Sequence, residues 1–219
     1  MVDLIEQLAP DTVAANLRRV REAIADRGRD PDTVQILAAI KYLPTECLAA
    51  LADGGVRLVG ENRAQQLIAK QEVAGERFTW DFIGALQSRK VKDLVGRVRW
   101  IHSVASDSAL AQLERHAPPG CEVLVEVNVA GEAGKSGVAV PNLAGFLERC
   151  PVRVVGLMTM PPQASSAEQS RPHFARLAEL AAENGLRELS MGTSQDYAVA
   201  AQEGATIVRL GTILYESAA

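Results

Sequence analysis

One lysine in this sequence stands where its amine can become a nucleophile. Lys41 directly follows the apolar run Val34-Gln-Ile-Leu-Ala-Ala-Ile40, so its stem is expected to be buried and its amine partly desolvated, which favours the neutral form. A neutral amine attacks aldehydes and forms a Schiff base. Position alone leaves a bland alternative, a lysine that reaches from a strand end into solvent. Two distant segments shift that balance. Gly192-Thr193-Ser194 precedes a helix expected from Gln195 to Glu203, and Gly211-Thr212 follows the apolar run Thr206–Leu210. Glycines let backbone N–H groups approach phosphate oxygens, Ser194 and Thr212 add hydroxyls, and a helix start adds the positive end of its dipole. Either segment alone reads as a turn with a helix cap. Together, on neighbouring strands, they predict a phosphate site beside an amine.

Other chemistries find less support. Gly131-Glu-Ala-Gly-Lys-Ser136 resembles a nucleotide P-loop, but that motif needs four residues between its glycines and here there are two, with Val129 where the first glycine belongs. Lys135 of that segment is read instead as a second cation near the mouth of the site. His102, His116 and His173 lack metal-ligand spacing, and His102 reads as a hydrogen-bonded core residue. No G-x-S-x-G elbow points to a serine hydrolase. Cys47, Cys121 and Cys150 are odd in number and show no C-x-x-C spacing, so neither a disulfide framework nor a zinc site is expected.

The elements that must position these residues alternate along the whole chain. An opening helix is expected from Asp11, as N-cap, to Arg27; its Arg18, Arg19 and Arg21 form a solvated face opposite Val13, Leu17, Val20 and Ile24. Eight strands follow, at Val34–Ile40, Arg57–Gly60, Trp80–Ile83, Trp100–Val104, Glu122–Val129, Val152–Met158, Glu188–Met191 and Thr206–Leu210, with helical stretches between them. Pro44 before the second helix and Gly54-Gly55 after it give the usual punctuation. Strands separated by helices imply a parallel sheet, and eight units imply closure into a single (β/α)8 barrel of the TIM type with an extra N-terminal helix. No linker divides the sequence, so one domain spanning 1–219 is expected. In such a barrel the residues just past the strand ends carry the chemistry.

Those residues resemble the pyridoxal phosphate homeostasis protein family (the YggS/PROSC family), whose barrel is like that of alanine racemase. The resemblance covers nearly the whole chain: Ala38-Ala-Ile-Lys41, Gly60-Glu-Asn62, Phe82-Ile-Gly-Ala-Leu-Gln87, Ile101-His-Ser103, Glu126-Val-Asn128, Lys135-Ser-Gly137, Gly156-Leu-Met158, Ser190-Met-Gly-Thr-Ser194 and Val208-Arg-Leu-Gly-Thr212. It implies that Lys41 holds pyridoxal 5'-phosphate (PLP) as a Schiff base, that Ser194, Gly211 and Thr212 hold its phosphate, that Arg209 faces the pyridine nitrogen, and that Asn62 and Met191 line the pocket. Departures from the family pattern are Tyr42-Leu43 after the lysine, Asp81 where histidine is common, and Arg89 where asparagine is common.

An arginine beside the ring nitrogen keeps that nitrogen unprotonated, which weakens the cofactor as an electron sink. Alanine racemase tolerates this arrangement with a tyrosine base brought by a second domain, for which the sequence to Ala219 has no counterpart. The resemblance therefore implies a cofactor-binding protein that stores, buffers or delivers PLP, with apo PLP-dependent enzymes as recipients and without efficient turnover. Two rivals stay open: a stand-alone amino-acid racemase or lyase assisted by Tyr42 or Tyr215, and a barrel enzyme acting on a sugar phosphate through Lys41. The sequence is 47% hydrophobic, 23% charged and carries a net charge of -4, which offers no basic face for nucleic acid. Met1-Val-Asp-Leu-Ile-Glu lacks the pattern of an export signal and no apolar run is long enough to span a membrane, so a soluble cytoplasmic protein is expected, and a monomer.

Overall fold

The computed structural model describes residues 8–216; residues 1–7, read above as lacking an export signal, and residues 217–219 lie outside the described part. Nine strands form one all-parallel system: β1 Gln35–Ala39, β2 Leu58–Glu61, β3 Thr79–Phe82, β4 Trp100–Val104, β5 Glu122–Asn128, β6 Val138–Ala139, β7 Arg153–Met158, β8 Glu188–Ser190 and β9 Ile207–Leu210. The order β4-β3-β2-β1-β9-β8-β7-β5, with β4 also paired to β5, closes an eight-stranded barrel. β6 is the one strand the sequence did not announce. It pairs through Val127↔Val138 and Asn128↔Ala139, where β5 runs past its last partner on β7, Met158.

Helices α1 Pro10–Ala25, α2 Leu48–Asp53, α3 Ala64–Ala74, α4 Val91–Leu94, α5 Asp107–His116, α6 Leu143–Glu148, α7 Arg171–Glu183 and α8 Tyr197–Gln202 surround the barrel. Short 3-10 turns lead into α2, α4, α6 and α7, so these helices are shorter than the apolar periodicity suggests. α1 corrects one expectation. Its N-cap is Ala9, with no side-chain cap bond, and Asp11 lies in the first turn. Pro10 takes the first helical position, where the N–H it lacks would have no intrahelical acceptor.

Strand parity sorts the side chains into two cores. Ile36, Ala38 and Ile40 of β1 and its end face the helices, and most of the apolar mass lies in that layer. Leu37, Leu58 and Ile207, with Ile83 and Trp100, fill the lower barrel interior. Gly60 stands among them because a Cβ there would come within 2.5 Å of Leu37 Cδ2 and 2.9 Å of Ile83 Cδ1. Above this plug the interior turns polar, and the candidate site rests on it.

Candidate functional site

The same parity carries Ala39 of β1 and Arg209 of β9 to the inside of the barrel's C-terminal rim, and Lys41, Asn62 and Gly211 follow just past the ends of β1, β2 and β9. β1 and β9 are neighbours, with Leu37 paired to Arg209, so closure brings residues 41 and 209 together. A cavity of about 510 Å³ opens there, lined by Lys41, Asn62, Ser194, Arg209, Gly211 and Thr212, with Tyr42, Met160 and Tyr215 in its walls.

Met191 is not in this group. Ser190 takes the inward position at the end of β8, so Met191 turns outward into the helix layer, where it is fully buried. Lys41 also departs from expectation. β1 ends two residues earlier and Lys41 sits in the turn beyond the rim, so its side chain is exposed, with Nζ 4.7 Å from the centre of the Tyr42 ring. The barrel gives this amine a place at the mouth rather than a desolvated shaft.

The phosphate loops meet as their positions on adjacent strands require. Gly192 makes the turn after β8 at φ +90°, and a Cβ there would lie 2.6 Å from Ala200 Cβ. Asp196 closes the next turn by accepting from the Thr193 N–H at 2.7 Å and its hydroxyl at 3.1 Å. Ser194 Oγ accepts from the Gly211 N–H at 3.3 Å, which ties the two loops. α8 starts at Tyr197, later than expected, and has only six residues. The N–H groups of Ser194, Gln195 and Thr212 have no acceptor among the described residues, and all three residues line the cavity. Donors of this kind, half-buried at Ser194 and Thr212 and exposed at Gln195, are open to an anion or water.

Arg209 forms the floor. Nη1 donates to the Ser190 carbonyl and to Ser190 Oγ, both at 2.6 Å, and Nη2 donates to the Thr159 carbonyl at 2.8 Å and meets Met160 Sδ at 2.9 Å. Burial lowers its pKa to about 10 against the pull of Glu126 and Asp196, which still leaves it a cation at neutral pH. Beneath it runs a buried polar chain: Ser190 Oγ to His102 Nδ1 at 2.8 Å, then His102 Nε2 to Asp81 Oδ2 at 3.0 Å. Asp81 also accepts from Arg99 Nε at 3.0 Å and the Trp100 N–H at 3.2 Å. Proton counting fixes the directions. The Asp81 carboxylate only accepts, so Nε2 carries the proton of the neutral ring, and Nδ1 accepts from the Ser190 hydroxyl, whose oxygen in turn accepts from Arg209. The imidazole is neutral, as burial requires by pulling its pKa below the usual value, with Asp81 opposing. Burial pushes the Asp81 carboxyl up, but hydrogen bonds from His102 and Arg99 outweigh it and hold the group below the usual carboxylate range.

The remaining sequence candidates fall elsewhere. Lys135 pairs with the Glu132 carboxylate in the loop after β5 and does not line the cavity. Arg89 is exposed and bonds Gln87 Oε1. Tyr215 is buried with its hydroxyl on the Ala39 carbonyl at 3.1 Å, and burial drives its pKa far upward. Sequence reasoning overlooked Met160, which follows β7 by two residues, and Asp81 and Ser190 as a linked pair. The signal for the last two was available: both are polar residues at inward parity near the ends of their strands.

A lysine at the mouth, vacant N–H donors on one wall and a cationic floor suit a phosphorylated aldehyde, and the cavity volume lies within the range of small-molecule sites. The alanine racemase N-terminal domain family matches residues 8–218. The pyridoxal phosphate homeostasis protein of Aquifex aeolicus is 39% identical over 213 residues, spanning 91% of this chain and 93% of that protein. PipY of Synechococcus elongatus, solved without PLP, has a TM-score of 0.81 at 32% identity, covering 93% of this chain and 100% of its own. Its structure with PLP bound has a TM-score of 0.76 at 30% identity over the same shares. The chain therefore belongs to the alanine racemase N-terminal domain family and, within it, to the pyridoxal phosphate homeostasis proteins.

Proposed function

We propose that this protein binds pyridoxal 5'-phosphate reversibly through Lys41 and serves vitamin B6 homeostasis by storing, buffering or delivering it to apo PLP-dependent enzymes. The observation that carries the reading is the convergence of Lys41, three vacant backbone donors and Arg209 on one cavity. The name of the Aquifex relative and the bound PLP of PipY support the same cofactor. When bound, PLP supplies an aldehyde that a primary amine captures reversibly and a ring that serves enzymes as an electron sink. Ser194, Gly211 and Thr212 hold the phosphate, with the Gln195 N–H beside them. Asn62 forms the wall next to Lys41, and Arg209 presents its guanidinium to the ring nitrogen. Met191 has no direct part in this assignment.

Efficient turnover is opposed by two features. Arg209 remains charged at neutral pH, so a nitrogen next to it stays unprotonated and stabilises carbanions poorly. Tyr215 is also a poor proton-abstracting base, because its hydroxyl is buried and committed to the Ala39 carbonyl. We read the chain as one barrel domain over 1–219, working as a monomer in the cytoplasm. No helix among the described residues is long and apolar enough to cross a membrane.

Protein loaded with PLP and freed of excess cofactor, mixed with the apo form of a PLP-dependent enzyme, is expected to restore that enzyme's activity while losing its own bound cofactor. The loaded protein is expected to leave enantiomerically pure alanine and serine essentially unracemised. Racemisation at ordinary enzymatic rates would replace the homeostatic reading with the racemase one, and cofactor retained in the presence of apo-enzyme would remove delivery from the proposal.

A further inference from the structure

A buried ion pair joins the two strand ends that carry Lys41 and Asn62. The β1–β2 ladder closes with the Ile40 N–H donating to the Gly60 carbonyl at 3.0 Å. Above that bond side chains take over from backbone. Lys70, on α3, is 3% exposed, and Glu61, at the end of β2, is 1% exposed. Lys70 Nζ donates to the Ile40 carbonyl at 2.6 Å and to Glu61 Oε2 at 2.7 Å. Glu61 Oε1 accepts from the Asn62 N–H at 2.7 Å and the Arg63 N–H at 3.3 Å. The pair thus grips the peptide that leads into Lys41 and the peptide of Asn62, and neither member lines the cavity.

Stability alone is a poor reason for this arrangement. Taking two charges out of water costs most of what their attraction returns, and well-packed apolar residues of similar volume often serve a fold as well or better. Position is a better reason. The Lys41 side chain is exposed, with its amine over the Tyr42 ring and no hydrogen bond or ion pair among the described residues, so its own polar contacts do little to aim it, and its backbone must. That backbone is held from two sides: Tyr215 donates to the Ala39 carbonyl at 3.1 Å and Lys70 to the Ile40 carbonyl.

We infer that Lys70 and Glu61 are positioning residues that fix the Lys41 amine and the Asn62 wall relative to the phosphate loops. This rests on Lys41 being the residue that captures PLP. The test is the variant Lys70→Met with Glu61→Gln, which removes both charges, releases the Ile40 carbonyl and keeps an oxygen for the Asn62 N–H. Thermal unfolding, the dissociation constant for added PLP and the induced circular dichroism of the bound cofactor are measured beside wild type and Lys41→Ala. The double variant is expected to stay folded, with a lowered unfolding temperature because the buried Ile40 carbonyl loses its Lys70 donor. It should bind PLP about tenfold or more weakly, since small displacements of reacting groups are costly, and give less circular dichroism per bound cofactor. An intact fold with wild-type affinity and wild-type circular dichroism would overturn the inference and leave the pair a structural one. Should the double variant not fold, Lys70→Arg, which keeps the buried charge paired with Glu61 but moves the donors away from the single Nζ position that bridges Glu61 and the Ile40 carbonyl, is read by the same three measurements against the same criteria. Wild-type protein that takes up no PLP would instead overturn the reading of Lys41.

Discussion

His102 is the residue through which acid reaches the interior beneath the site. It is neutral in the fold, with a pKa below its ordinary value near 6.5 because it is buried. The folded chain therefore binds this proton less readily than the unfolded chain, and the resulting stability is fully present above pH 6.5 and lost as pH falls through the folded value. Asp81 acts with the same sign lower down: its depressed pKa adds stability above the ordinary carboxylate value near 3.8, and that stability is lost as the pH falls further. Denaturant titrations at a series of pH values should show unfolding free energy rising from acid toward neutral pH. His102→Gln should cost about 1–3 kcal/mol at neutral pH, since Ser190 and Asp81 lose a well-placed partner, and should flatten the slope just below pH 6.5. A variant with the wild-type slope would assign that slope to other groups. Arg209 belongs to the same chain of bonds, so the polar interior both supports the cavity floor and keeps its cation oriented.

At the scale of elements, parity decides what the site contains. Position after a strand was enough to find Lys41, Asn62, Ser194, Arg209, Gly211 and Thr212, which all line the cavity. Met191, which the family resemblance implied as a pocket residue, turns outward instead, because a residue near a strand end faces inward only at every second position and Ser190 holds that place. Gly192 is where an element boundary bears most directly on the cavity. Gly192→Ala forces a side chain onto φ +90° and toward Ala200, so it should destabilise the fold by about 1–3 kcal/mol and weaken PLP uptake through the displaced Thr193–Ser194 turn. Urea midpoints and a cofactor titration read the two effects, and a variant unchanged in both would show that the turn tolerates a left-handed alanine. The eight-unit barrel was legible because strand and helix periods alternate cleanly from Val34 to Leu210. β6 was not, since two residues carry no period. The pair of Lys70 and Glu61 was also out of reach: nothing in the i, i+9 spacing of a helical lysine and a strand-end glutamate indicates that both are buried and bonded.

For the whole molecule, closure is what makes a site from distant parts of the chain. The amine comes from the first strand and the donors and floor from the last two, and they meet only because β9 returns to pair with β1. The net charge of -4 leaves no general attraction for polyanions, so the attraction for a phosphorylated ligand is local to the vacant donors and Arg209. The central claim, that this mouth captures PLP through Lys41, is tested most directly by the visible absorption spectrum of the purified protein titrated with PLP, beside Lys41→Ala at matched concentration. Because Lys41 is exposed and its amine has, among the described residues, no polar partner beyond the Tyr42 ring, the variant should fold as the wild type does. The account predicts a visible band, distinct from that of free PLP, that saturates in the wild type and is absent from Lys41→Ala. An equal band in the variant, or none in the wild type, would contradict it.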